Sequence, residues 1–351
     1  MKEKESKIYD WKLNIEESQL EDVIKTLEEG KLIVFPTETV YGIGTDTYNS
    51  EGCLNIFKAK GRPVDNPLIV HVSDFEMLKK CVKNISDVEE KLINSFMPGP
   101  FTLILEKKED IPEVVTSGLD TVAIRMPDNE ICKKIISTFG RPIAAPSANR
   151  SGLPSGTNLE DIIDELKSSV DVFIDGGDTE IGLESTVVRV IDEIPCILRP
   201  GKITAEDILK TVGKVKIDKY VLNEVDDKTE VLSPGMKHKH YSPKTTCVLF
   251  DVEDKEKIFE IIKNRNVCVL GVGKSSYDFY DSKYISMGDT YEEISKNIFS
   301  LLREVDKEKY ELILIESVKT EGLGLAIMNR LIRTCGYNIA KSKEQVENFL
   351  K

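Results

Sequence analysis

Two short signatures, far apart in the chain, carry the groups that grip a polyphosphate. One is Lys60-Gly61-Arg62, within K-A-K-G-R-P-V-D-N-P-L; the other is Ser147-Ala148-Asn149, within I-A-A-P-S-A-N. An ammonium and a guanidinium so spaced can straddle phosphate charge, and a hydroxyl with an amide can fix its orientation. Phosphoryl and nucleotidyl transfer consist largely of positioning and charge neutralisation, so cations near strand ends are the residues to follow. Arg125 and Arg199 qualify beside Lys60 and Arg62, as do Lys237 and Lys239 in a later loop. Lys58 reads as part of a solvated face. For Lys60 and Arg62 the rigid P-V-D-N-P turn, set directly before an apolar segment, argues against that reading.

Pro36 to Gly44, P-T-E-T-V-Y-G-I-G, combines hydroxyls that can orient a ligand with glycines that let backbone approach one. Taken alone, its G-x-G more often marks a turn. Gly271-Val272-Gly273-Lys274-Ser275 imitates the end of a P-loop, but Cys268 stands where the first glycine is required, and the reading is rejected. With three histidines and no G-x-S-x-G elbow, a Ser-His-Asp hydrolase is poorly supported. His238 and His240 form H-x-H without a third ligand nearby, so no metal site is expected. They lie in S-P-G-M-K-H-K-H-Y-S-P, Ser233 to Pro243, a basic and aromatic loop suited to act as a lid over an anion. His71 ends an expected strand; it is either a satisfied core histidine or a substrate contact.

These groups need a scaffold. The chain has 351 residues, 40% hydrophobic and 31% charged, which suggests two globular domains. The formal net charge of −13 argues against a surface that grips nucleic acid throughout, without excluding a local cationic pocket. Seven scattered cysteines, never paired as C-x-x-C, read as buried thiols in a reducing compartment. The N-terminus lacks a signal-peptide core, and no run nears the ~20 apolar residues of a membrane helix. A cytoplasmic protein with no membrane contact is expected.

Periodicity predicts strands at Leu32–Phe35, Leu68–Val72, Phe101–Leu105, Thr121–Arg125 and Thr186–Ile191. Helices are predicted at Ser18–Glu29, Glu51–Ala59, Val88–Phe96, Asn129–Phe139 and Leu159–Lys167, with a further short helix after Gly201. Alternation along Thr121–Arg125 sends Val122 and Ile124 one way, and Thr121, Ala123 and Arg125 the other. That polar face either lines a cavity or belongs to an edge strand meeting water. A charged stretch near Asn223 to Glu230 reads as a linker. Past Lys244, strands at Cys247–Phe250, Val267–Leu270 and Leu312–Glu316 alternate with helices at Asp254–Asn264, Thr290–Val305 and Leu325–Cys335. The expected division is 1–212, a linker with its lid loop at 213–244, and a smaller parallel α/β domain at 245–351.

Together P-T-E-T-V-Y-G, K-G-R-P-V-D-N-P-L-I-V-H, M-P-G-P-F-T, G-L-D-T-V-A-I-R-M-P, A-P-S-A-N, D-G-G, E-S-T-V-V and L-R-P-G resemble the threonylcarbamoyl-AMP synthase family. The loop P-G-M-K-H-K-H-Y-S-P and Ala326 to Arg330, A-I-M-N-R, resemble its two-domain form. The resemblance implies an α/β fold: a YrdC-like twisted mixed-sheet domain with a concave basic cavity, plus a smaller Rossmann-like parallel α/β domain. It implies a nucleotidyltransferase that condenses L-threonine, bicarbonate or CO2, and ATP to threonylcarbamoyl-AMP and pyrophosphate, with Mg2+ accompanying ATP. The product would feed threonylcarbamoyladenosine formation through a downstream tRNA threonylcarbamoyl-transferase complex, with weak tRNA contact allowed. By resemblance, Thr37, His71, Arg125, Ala145 (through its backbone) and Ser185 hold threonine. Lys60, Arg62, Asn66, Thr121, Ser147, Asn149, Ser155, Arg199 and Tyr241 hold ATP, Lys60 and Arg62 being catalytic. Two rival readings are a double-stranded-RNA-binding module of the same fold and a carbamoyl-transfer domain acting on carbamoyl phosphate. The latter usually accompanies zinc-binding modules, for which this chain has no C-x-x-C pair.

Overall fold

A computed structural model describes residues 6–224, 241–251, 255–274 and 283–350. These fall into two compact units. One contains residues 6–151 and Ser155–Val221; the other contains Gly152–Pro154, Leu222–Glu224 and the chain from Tyr241 onward.

The strands of the first unit are β1 (Lys7–Asp10), β2 (Ile33–Phe35), β3 (Gly42–Asp46), β4 (Ile69–His71), β5 (Phe101–Glu106) and β6 (Thr121–Arg125). They continue with β7 (Ile143–Ala144), β8 (Val172–Asp175), β9 (Thr186–Ile191), β10 (Ile194–Arg199) and β11 (Lys216–Ile217). Among the described residues they form one mixed sheet, in the order β1-β8-β2-β3-β7-β4-β6-β5-β9-β10-β11. The five sequence-predicted strands and helices of this unit fall within one residue of the observed bounds at each end. β6 lies between β4, to which it is parallel, and β5, to which it is antiparallel. This excludes the edge-strand explanation of its polar face.

Alternation then sorts its side chains as the pleat requires. Val122 and Ile124 enter the main core, whereas Ala123 packs on the other face with Ile69, Ile104, Val187 and Leu198. The main core is closed by amphipathic helices such as Glu130–Phe139, which buries Cys132, Ile135, Ile136 and Phe139 at helical spacing. Asn129 caps its N-terminus by accepting from Cys132 N–H at 3.0 Å, and Gly140, at φ 72°, ends it. Helix Ser50–Lys60 is built the same way: the Asn49 side chain accepts from Gly52 N–H at 2.8 Å, and Gly61 adopts φ 61° just past the end. No atom crowds a side chain at Gly61, so glycine is favoured there for backbone conformation alone.

The second unit has five strands among the described residues, β12 (Cys247–Phe250), β13 (Val267–Gly271), β14 (Lys283–Ser286), β15 (Leu312–Glu316) and β16 (Ile339–Ala340). They pair in parallel throughout, in the order β14-β13-β15-β12-β16. This is the small parallel α/β unit expected from the sequence. Its helix Leu323–Thr334 is buried along its whole length, including Arg330.

Candidate active site

The two signatures meet. Lys60, last residue of helix Ser50–Lys60 and only 3% exposed, donates from Nζ to the Asn149 carbonyl at 2.6 Å, to the Ser147 carbonyl, and to Asn149 Oδ1 at 3.3 Å. Ser147 Oγ donates to Asn149 Oδ1 at 2.6 Å. The S-A-N segment is laid along the hydroxyl-rich one: Ser147 bridges Gly42, Ala148 N–H donates to the Tyr41 carbonyl at 2.7 Å, and Ile43 N–H to the Pro146 carbonyl at 3.0 Å. Lys60 is therefore a strut as well as a cation, its position fixed by these acceptors. The P-V-D-N-P turn wraps onto Arg62, whose Nε donates to the Asn66 carbonyl at 3.1 Å and Nη2 to the Pro67 carbonyl at 3.0 Å. Asn66 is buried and Arg62 half-buried. Gly42 and Gly44 do not mark a turn; both lie in β3. A side chain at Gly44 would come within 2.7 Å of Ile143 Cγ2 and 3.0 Å of the Ala145 Cβ, so glycine there permits close strand packing.

Two polar clusters, one expected to hold threonine and one reaching a residue expected to hold nucleotide, meet where Arg125 and Thr102 are register partners on adjacent strands. Thr37 Oγ1 lies 2.9 Å from Thr39 Oγ1 and donates to the Val40 carbonyl at 2.6 Å, fixing the turn after β2. Arg125 Nη1 donates to Thr39 Oγ1 at 2.8 Å. Arg125 pairs in register with His71 on one side and Thr102 on the other. Thr102 Oγ1 is 2.7 Å from Ser185 Oγ, which accepts from Arg199 Nη2 at 3.1 Å. Arg199 is further held on the Ser185 carbonyl by Nε at 3.1 Å and Nη2 at 3.0 Å. Gly201 makes this junction possible, since a side chain there would lie 2.5 Å from Thr186 N and 2.7 Å from the Glu184 carbonyl.

His71 is buried, and burial together with the Arg125 charge pushes its pKa down to about 3. It is neutral at physiological pH, with Nδ1 3.2 Å from the Ile69 carbonyl. Its ring lies edge-on to Phe35 at 6.3 Å. It can bond a hydroxyl but brings no charge. Ala145 N–H donates to the Ile69 carbonyl at 2.8 Å, leaving its own carbonyl as the group a ligand would use. Ser155 Oγ donates to Glu184 Oε1 at 2.5 Å within the interior. Thr121 opens β6, half-exposed, opposite Glu106.

Tyr241 belongs to the second unit. Buried there at φ 61°, it stacks on Phe299 at 5.0 Å, and the Arg330 guanidinium lies 5.7 Å from its ring centre. Residues 233–240 of the expected lid, with Lys237, His238, Lys239 and His240, lie outside the described residues, as does Ser275 of the P-loop lookalike. Sequence reasoning took the hydroxyls of the P-T-E-T segment as a group without singling out Thr39, and it passed over Glu38. Glu38 is 6% exposed and places Oε1 2.7 Å from Arg125 Nη2. An acid beside two threonines carries no signal of its own until Arg125 is seen to fold against it.

The seven cysteines are free thiols, six buried and Cys196 half-buried. Among the described residues no helix is long and apolar enough to cross a membrane, and no group of three or more His, Cys, Asp or Glu side chains is placed to hold a metal ion.

Comparison with known proteins agrees with this architecture. A family profile described as telomere recombination (Sua5, YciO and YrdC) matches residues 25–201, and one described as the threonylcarbamoyl-AMP synthase C-terminal domain matches 203–336. A threonylcarbamoyl-AMP synthase of Pyrococcus abyssi is 44% identical over 333 residues, spanning 93% of this chain and 97% of that protein. One of Bacillus subtilis is 38% identical, spanning 94% and 96%. A crystal structure of Sua5 from P. abyssi in complex with L-threonine superposes with a TM-score of 0.89 at 42% identity, covering 95% of this chain and 99% of that one. With both profiles matched in order and full-length relatives at this identity, the chain belongs to the threonylcarbamoyl-AMP synthase family in its two-domain form.

Proposed function

We propose that the chain is an L-threonylcarbamoyladenylate synthase, a nucleotidyltransferase that joins L-threonine, bicarbonate-derived CO2 and ATP. The observation that carries the reading is the placing, on paired strands, of the Thr37–Thr39–Arg125 cluster beside the Thr102–Ser185–Arg199 cluster, so that groups suited to an amino acid neighbour groups suited to a nucleotide. Arg125 attracts the threonine carboxylate, and neutral His71 and Thr37 take its hydroxyl. Oriented in this way, the nitrogen loses its ammonium proton to solvent and adds to CO2, releasing a second proton, and an oxygen of the resulting carbamate attacks the α-phosphorus. Pyrophosphate leaves as Lys60, Arg62 and Arg199 neutralise the developing charge, with Asn66, Thr121, Ser147, Asn149 and Ser155 orienting the nucleotide. Magnesium comes as the counter-ion of the triphosphate. No protein nucleophile is needed. A carbamate hydrolyses readily, and the burial of Thr37, His71, Arg125 and Ser185 favours a dry site for it.

Buried free thiols suit a reducing compartment such as the cytoplasm. The product is an activated acyl group that a tRNA-modifying transferase would consume. The nucleic-acid-binding alternative is not favoured: a net charge of −13 opposes broad phosphate binding. The test is pyrophosphate release by the purified chain with ATP and bicarbonate, with each amino acid added in turn. Release that depends on threonine supports the proposal; release indifferent to threonine refutes it.

A further inference from the structure

The residues assigned to threonine include a cation, hydroxyls, a neutral imidazole and a backbone group, but no anion. Threonine at neutral pH is a zwitterion. Seating its carboxylate on Arg125 in a buried site would leave its ammonium with uncharged acceptors only, such as the Ala145 carbonyl, and a buried charge without a counter-charge is strongly unfavourable. The acid that faces Arg125 is Glu38. Its carboxylate is buried, with Oε1 2.7 Å from Arg125 Nη2. The approach is not aligned for hydrogen bonding: neither Glu38 oxygen nor Arg125 Nη2 has a directed hydrogen-bond partner. The other two guanidinium nitrogens are engaged, Nη1 with Thr39 Oγ1 at 2.8 Å and Nε with the Gly99 carbonyl at 3.4 Å. The pair therefore sets a guanidinium donor beside a carboxylate acceptor, held to each other by charge at 2.7 Å and not by a directed hydrogen bond, the complement of an α-carboxylate and an α-ammonium.

We propose that Glu38 recognises the α-ammonium of the substrate, so that Glu38 and Arg125 together read an amino-acid zwitterion, which enters by separating the two side chains. The inference rests on threonine being the substrate. It assigns Glu38 a specificity role distinct from a placeholder for the substrate carboxylate, which would compete with threonine instead of binding it.

The two roles predict opposite results for Glu38→Gln, which keeps the shape and removes the charge. L-threonine and its des-amino analogue, 3-hydroxybutyrate, are titrated calorimetrically into wild type and variant. Wild type should prefer threonine strongly. In the variant, threonine should bind roughly tenfold to a hundredfold more weakly, the worth of a hydrogen bond between charged groups, while 3-hydroxybutyrate changes little. In turnover the KM for threonine should rise and that for ATP should stay, a split that general loosening of the fold would not give. Equal or tighter threonine binding by Glu38→Gln overturns the proposal, as does wild type binding the two ligands equally well. Should Glu38→Gln not fold, Glu38→Asp keeps the charge on a shorter arm and should show a reduced but surviving preference; an unchanged preference overturns the proposal. Absence of threonine-dependent pyrophosphate release in wild type defeats the functional reading itself, whereas release with an unaltered preference in Glu38→Gln defeats only the role of Glu38.

Discussion

Lowering the pH should destabilise the first unit through His71, by an amount that follows from its burial. The imidazole is held neutral, its pKa pushed from 6.5 to about 3 by burial and by the Arg125 charge. Unfolding restores the ordinary value, so between these limits the unfolded chain binds a proton that the folded chain refuses. Stability is thus fully present above pH 6.5 and is lost as pH falls toward 3. From pH 7 to pH 5 the unfolded His71 goes from about a quarter protonated to almost wholly so, and the linkage relation gives a loss of about 2 kcal/mol from this one group. Urea unfolding at both pH values, in wild type and His71→Asn, isolates the effect, because every other titrating group is common to the two. Asparagine cannot take up a proton, so the pH-dependent loss in wild type should exceed that in the variant by about 2 kcal/mol, whatever the variant's absolute stability. Equal losses would mean that His71 is solvated or charged in the folded chain, and the hydroxyl-binding role given to it would fall.

Arg62→Ala should lower kcat by roughly a hundredfold or more, as loss of a charge-stabilising donor does; near-normal turnover would count against the phosphate assignment. Gly201→Ala forces a methyl group to within 2.5 Å of Thr186 N, and calorimetry should show destabilisation of about 1–3 kcal/mol, with no change if the E-S-T segment can yield. Replacing Arg125 by Lys removes the forked donor that ties Thr39 and faces Glu38, so the KM for threonine should rise well above tenfold while that for ATP moves little; equal effects on both would show a general structural defect.

The sequence made the periodic parts of the fold legible. The strand at Thr121–Arg125 announced its two faces by alternation, and helix Glu130–Phe139 its buried stripe. Elements hidden from that logic were short or lacked contrast. β3 reads G-I-G-T-D, and its glycines suggest a turn until the packing of Gly44 against Ile143 is seen. β7 has two residues and β10 contains Pro195, too little pattern for periodicity to detect. At the site, Lys60, Arg62 and Ser147 were found as chemistry-bearing types at suggestive spacing. That Lys60 also braces the S-A-N segment depends on contacts between residues distant in sequence. Glu38 was missed for the same reason: its partner Arg125 is supplied by a strand that only the folded sheet brings near.

The central claim is that one hollow binds an amino acid beside a nucleotide and joins them at the α-phosphorus. The most direct measurement incubates the chain with ATP labelled at the α-phosphate, labelled threonine and bicarbonate, and separates the products. Both labels should appear in equal amounts in a single compound, formed one for one with pyrophosphate. Appearance of ADP and inorganic phosphate, or of pyrophosphate without threonine label joined to the α-phosphate, would contradict the claim.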